Sequence, residues 1–272
     1  MLESLNPFML RAVIGIFLAG SMSTLGTLAL LRGVAYLPAE VSHSALGGAA
    51  VGVYLSAYLA SWIDPFLVAA VFSVATALIT EYAGRREGPE VMGAAIGGSL
   101  AAAMAIYAFI RGFVPGELKA VIDGYLIGDV LLLSSRDIIQ LSAVTVLTLV
   151  FTLLFYNELV YICFDMDGAE ALGLNVKLYD YLLFALAGMA GVVAAKSVGA
   201  LLVYAFMIAP AASARMLTNR VRDHLILTFI IALSSGLIGL AVASMFNLPA
   251  SGTIAAIPSG IYIVLLIVRH LR

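Results

Sequence analysis

Two ionisable side chains stand three residues apart near the start of an otherwise apolar chain. They are Glu40 and His43, inside Pro38-Ala39-Glu40-Val41-Ser42-His43-Ser44-Ala45-Leu46-Gly47-Gly48-Ala49-Ala50-Val51-Gly52. On a helix that spacing sets both on one side. A carboxylate and an imidazole inside a membrane span are costly to keep, so function is the first reading of the pair. Glu40 by itself is a candidate proton or sodium site. The competing reading puts both at a wet interface, where they merely cap the helix. Small residues at Ala45, Gly48 and Gly52 let a second helix come close.

A second stretch, Met207-Ile208-Ala209-Pro210-Ala211-Ala212-Ser213-Ala214-Arg215-Met216-Leu217-Thr218-Asn219-Arg220, has a proline inside an apolar run and then a small, basic exit. It reads either as an ordinary span leaving the bilayer or as a separate cytoplasmic docking helix that begins near Pro210. Other chemistries have no support. Gly191-Val192-Val193-Ala194-Ala195-Lys196-Ser197 ends like a phosphate-binding loop, but Ala195 stands where the second glycine is required. No Cys–His or Ser–His–Asp set is present, and His224 and His270 fall at span ends, where solvated imidazoles are expected. Cys163 is the single cysteine, so neither an intrachain disulfide nor a cysteine metal cluster forms.

The elements that position these residues are set by composition. Of 272 residues, 63% are hydrophobic and 11% charged, with a mean hydropathy of +1.09. Soluble domains carry about 25% charge. The chain therefore reads as a single all-α domain over residues 1–272, a polytopic transmembrane helical bundle of eight or nine spans. Apolar segments run near 8–31, 34–60, 66–82, 92–110, 138–157, 179–195, 198–214, 224–246 and 253–268. The pair 179–195 and 198–214 is short, and reads as two spans or as one partly re-entrant hairpin. Pro38 either starts a new helix or kinks one long one. Arg32, Arg85, Arg86, Lys177, Arg215, Arg220, Arg222, Arg269 and Arg272 fall on one side of a nine-span arrangement. Arg11, Arg111, Lys119, Arg136 and Lys196 fall on the other. The positive-inside rule makes the larger set, and the C-terminus, cytoplasmic, and leaves the N-terminus outside. The 111–137 loop then lies outside, with room for short surface helices. The 157–180 loop lies inside, with Asp167 expected to cap a short helix, Glu170 to complete the pair and Gly173 to end it.

Several elements, in this order, resemble the membrane permease of divalent-metal (zinc/manganese/iron) ABC importers. They are Pro7-Phe8-Met9-Leu10-Arg11-Ala12 through Leu31-Arg32-Gly33-Val34-Ala35-Tyr36-Leu37, and Ser42-His43-Ser44-Ala45-Leu46-Gly47-Gly48. Next come Tyr125-Leu126-Ile127-Gly128-Asp129 with Ser134-Ser135-Arg136-Asp137, and Phe164-Asp165 with Ala171-Leu172-Gly173-Leu174-Asn175-Val176. Last are Val198-Gly199-Ala200-Leu201-Leu202-Val203 and Ile208-Ala209-Pro210-Ala211-Ala212. A more distant likeness to vitamin B12 and siderophore permeases runs through the Leu-Gly-Leu and Pro-Ala-Ala regions. The chain departs from the family where an aspartate usually precedes the histidine by four residues, which here is Ala39, and where Pro-Gly becomes Gly47-Gly48.

The resemblance implies a homodimer with its pathway on the two-fold axis. It also implies two ABC ATPase subunits on the cytoplasmic side, and an extracytoplasmic binding protein that delivers the metal. Two copies of Glu40 and His43 would supply two oxygen and two nitrogen ligands, a set that suits zinc or another borderline metal. Pro210, Ala211, Ala212, Ser213, Arg215 and Arg220 would couple to the ATPase, with 165–173 as the competing loop. The implied protein is not itself an enzyme. It keeps no permanent cofactor, binds no nucleic acid, and imports zinc or manganese across a prokaryotic plasma membrane. Two other readings stand beside it: a permease for a metal chelate, and a secondary transporter driven by an ion gradient.

Overall fold

The apolar segments become helices, and the prolines and glycines between them become the breaks. The computed structural model describes residues 7–128 and 130–271. Asp129 of the 125–129 element and Arg272 of the basic set lie outside the described residues. In chain order the helices are α1 Pro7–Leu31, α2 Leu37–Tyr58, α3 Pro65–Glu87, α4 Pro89–Phe113, α5 Gly116–Ile127, α6 Ser135–Leu154, α7 Tyr156–Phe164 and α8 Met166–Ala171. They continue with α9 Val176–Val198, α10 Ala200–Leu217, α11 Val221–Phe246 and α12 Ala250–His270. A 3-10 turn, Val130–Leu132, joins α5 to α6. Among the described residues there is no strand.

Seven of these helices, α1, α3, α4, α6, α9, α11 and α12, are long and apolar enough to cross a bilayer. α2, with 22 residues, and α10, with 18, pack among them. Together they correspond one to one with the nine apolar segments. The short pair at 179–195 and 198–214 is two helices, α9 and α10, broken at Gly199 with φ +90°. Pro38 starts a helix instead of kinking one. α1 ends at Leu31, Gly33 turns the chain at φ +82°, and α2 begins at Leu37 with Pro38 in its first turn.

Close approach at glycines fixes α2 in the bundle. A Cβ at Gly48 would meet Phe72 Cβ at 2.5 Å and Ala69 Cα at 2.9 Å, and one at Gly52 would meet Pro65 Cα at 2.7 Å, all on α3. The small residues of the α2 sequence thus let α3 lie against it, as their spacing predicts.

Polar ties collect at the two ends. At one end Arg32 after α1 grips Asp180 of α9 through two bonds, at 3.0 and 2.9 Å. Arg85 of α3 reaches Glu81 at 2.7 Å and Asp180 at 3.4 Å. At the other end Arg136 and Gln140 of α6 both donate to Asp64 Oδ2 at 2.8 Å. Lys196 of α9 there meets Asp137 at 3.2 Å. Arg32 and Arg85 therefore share one end, and Arg136 and Lys196 the other, which is the partition that the sequence makes.

Three local expectations need correction. No separate helix starts at Pro210: α10 runs unbroken from Ala200 to Leu217 with the proline inside it. His224 is buried, not solvated, and its Nε2–H donates to the Ala211 carbonyl at 2.7 Å, which ties α11 to α10. The cap of α8 is Asp165, whose carboxylate accepts from Gly168 N at 2.8 Å, two residues before the expected Asp167. Gly173, at φ +83°, does close that segment.

Candidate functional site

α2 opens with an exposed Tyr36, and its next two turns carry the chemistry. Ala39 and His43, four residues apart, are both partly exposed, and Tyr54 and Tyr58 continue the accessible positions toward the other end of the helix. Between them Leu46, Gly47 and Ala50 are covered. Tyr36 stacks on Tyr204 of α10, with ring centroids 6.0 Å apart and planes 10° from parallel. Ser42 donates toward the Ala200 carbonyl at 3.2 Å. α10 therefore forms one wall beside His43.

The histidine is oriented. Its Nδ1 lies 2.7 Å from the Ala39 carbonyl, one helical turn back. A carbonyl only accepts, so Nδ1 holds the proton and Nε2 presents its lone pair outward. Nε2 has no hydrogen-bond partner among the described residues. A metal-binding imidazole is prepared in this way, with one nitrogen fixed by a carbonyl and the other free. A bare imidazole nitrogen directed into lipid would be costly, so this part of α2 faces protein or water.

Glu40 goes elsewhere. Its side chain is fully buried, and Oε1 accepts from Thr80 of α3 at 2.6 Å and from Ser99 of α4 at 2.8 Å. Oε2 is buried without a partner among the described residues. The 60° that separates positions three apart on a helix is enough to send the carboxylate into the α2–α3–α4 junction and the imidazole to the open side. No hydrogen bond or ion pair joins Glu40 to His43, and no group of three His, Cys, Asp or Glu able to hold a metal occurs among the described residues.

At the basic exit of α10 the six expected residues divide. Pro210, Ala211 and Ser213 are buried within the chain, Ala212 is half-buried, and Arg215 and Arg220 are exposed. Leu217, 55% exposed, lies beside them. The α7–α8 region offers a second surface at the same end, with Phe164 59% and Leu172 73% exposed.

Sequence reasoning missed Thr80 and Ser99, because single hydroxyls in small-residue runs give no sign of which carboxylate they will meet. It also missed the stacking of Tyr36 on Tyr204, which joins residues far apart in the chain. A tyrosine at a predicted helix start was the only signal available.

Fold and site define a polytopic helical membrane protein with a partly exposed imidazole on α2, one nitrogen of which is held by a backbone carbonyl. Residues 5–269 match the model of the ABC 3 transport family, and the chain belongs to that family. It is 30% identical over 260 residues to the "Manganese transport system membrane protein MntC" of Listeria monocytogenes, covering 94% of this chain and 89% of the relative. It is 25% identical to the "Chelated iron transport system membrane protein YfeD" of Yersinia pestis, covering 98% and 87%. Among solved structures, PsaBC from Streptococcus pneumoniae in complex with Fab superposes with a TM-score of 0.83 at 25% identity, covering 97% of this chain and 92% of that one.

Proposed function

We propose that this chain is the membrane-spanning subunit of an ABC importer that brings a divalent first-row metal ion into the cytoplasm. One observation carries the reading. A fixed imidazole with a free nitrogen stands at a partly exposed position of α2, in a chain that matches a transporter family over nearly its whole length. Two protomers would set two copies of His43 across a shared axis, where the cargo ion passes. Glu40 anchors α2 to α3 and α4, and would become a ligand only by leaving Thr80 and Ser99. The end that carries Arg32, Arg85, Arg215 and Arg220 faces the cytoplasm. There Ala212, Arg215 and Arg220 meet a separate ATPase subunit, while Pro210, Ala211 and Ser213 support that surface from within. An extracytoplasmic binding protein delivers the ion at the opposite end. ATP hydrolysis in the partner biases the permease between inward- and outward-open states. The names of the Listeria and Yersinia relatives support a metal cargo.

The test is ATP-dependent metal uptake with the cognate ATPase present. His43→Ala should lower uptake at least 10–100-fold, the range seen when only the outer shell of a metal site is lost, and the ATPase should still copurify. Normal uptake by His43→Ala would overturn the assignment of the site. Uptake that needs an ion gradient and no ATPase would instead favour a secondary transporter.

A further inference from the structure

The accessible side of α2 carries no carboxylate. Glu40 and His43 are the only carboxylate and imidazole on the helix, and the structure divides them. Glu40 is enclosed at the α2–α3–α4 junction, held by Thr80 and Ser99, with no exposed surface. His43 alone stays accessible. The residue one turn before it on the same side is Ala39, a methyl group. The remaining accessible positions of α2, Val51, Tyr54, Leu55, Ser56, Ala57 and Tyr58, and Tyr36 just before it, are all uncharged. Beside Tyr36, α10 presents the phenol of Tyr204, and from Ala200 to Leu217 it carries no Asp, Glu, His or Cys.

Donor type separates divalent ions. Imidazole nitrogen suits zinc and its borderline neighbours, whereas carboxylate and water oxygens suit manganese. At a given nitrogen site zinc also binds more tightly than manganese in the usual order of stability. We infer that the passage site selects a zinc-like borderline ion over manganese, because α2 and α10 offer it an imidazole and no accessible carboxylate, and that Ala39 is the position that sets this preference. The inference rests on the proposed role of His43 as the cargo ligand.

An aspartate at position 39 would lie one helical turn from the imidazole, on its own side. It would supply the missing oxygen and bring the site nearer to what manganese needs. An asparagine there has nearly the same size and no charge, and should not.

The experiment reconstitutes the full chain with its ATPase in proteoliposomes and measures ATP-dependent accumulation of zinc and of manganese, each alone and in competition. The wild type should favour zinc by at least tenfold. Ala39→Asp should shift the zinc-to-manganese ratio toward manganese by at least tenfold, and Ala39→Asn should leave it near the wild-type value. His43→Ala should lose both ions. A wild type that prefers manganese, or an Ala39→Asp ratio that does not move, overturns this inference while ATP-dependent transport lost with His43→Ala keeps the proposed function. ATP-dependent transport of either ion that survives His43→Ala overturns the role of His43, and the inference with it.

Discussion

Glu40 and His43 differ in surroundings. The carboxylate satisfies two hydroxyls on two other helices, so its effect should be on stability. Thr80→Val removes one donor to a buried carboxylate, and should lower stability by about 1–3 kcal/mol, read from thermal unfolding in detergent. Glu40→Gln keeps an oxygen acceptor for Thr80 and Ser99 and should transport near normally. Loss of uptake as deep as that of His43→Ala would make Glu40 a ligand after all. At the basic end of the bundle, Asp180 is only 1% exposed and bonds to Arg32 and Arg85. Arg32→Ala leaves that carboxylate with the longer contact alone, and should destabilise by about 3–5 kcal/mol, the cost of breaking a buried pair. Cys163, in the short helix α7, is the one native thiol. Burial pushes its pKa up to about 12, so almost none of it is thiolate at pH 8. Maleimide labelling of Cys163 in the folded protein should be at least a hundredfold slower than that of an exposed cysteine, and should quicken as pH rises. Prompt labelling at pH 7 would show that the α7 contact with the Leu28 carbonyl opens readily.

The helices themselves were legible where apolar runs met strong breakers. Pro65 and Pro89 open α3 and α4, Asp64 caps α3, and Ser134 with Asp137 forms a capping box on α6. Pro210 was less legible. Its missing N–H costs one helix bond, but Ala211, Ser213 and Ala214 are packed around it and His224 holds the Ala211 carbonyl. Tertiary contacts therefore keep α10 helical through what local chemistry would break. Where α5 turns toward α6, Gly128 has φ +61° and sits on Gly199, whose backbone a Cβ at 128 would strike. The Gly128 carbonyl also accepts from Ser251 of α12 at 2.8 Å. Gly128→Ala is therefore strained twice, by dihedral and by contact, and should cost about 1–3 kcal/mol or more. The measurement is a lower melting temperature, and an unchanged one would mean that the α5–α9 corner yields. A few residues earlier, Arg111 of α4 holds the Asp123 carboxyl below the usual carboxylate range. A lowered pKa in the folded state means that this tie stabilises at neutral pH and is lost as pH falls through the lowered value.

At the scale of the molecule, composition and order of segments were enough to read a helical membrane bundle of eight or nine spans, and a family likeness that now extends across residues 5–269. The division of Glu40 from His43 was not readable. It depends on Thr80 and Ser99, which are 40 and 59 residues away from Glu40. Which surface meets the ATPase belongs to this scale too. Cross-links from residues 212 and 215 to the ATPase should exceed those from residue 170, and the reverse would move the docking site to α8. A cysteine at position 86 should react with an impermeant reagent only from the cytoplasmic side. The central claim is ATP-driven metal import, and it is tested most directly in proteoliposomes that hold this chain with its ATPase. Zinc should accumulate with ATP, and accumulation should stop with a hydrolysis-dead ATPase and be lost with His43→Ala. Zinc accumulation that persists without ATP or ATPase, driven by a proton or sodium gradient, would contradict it.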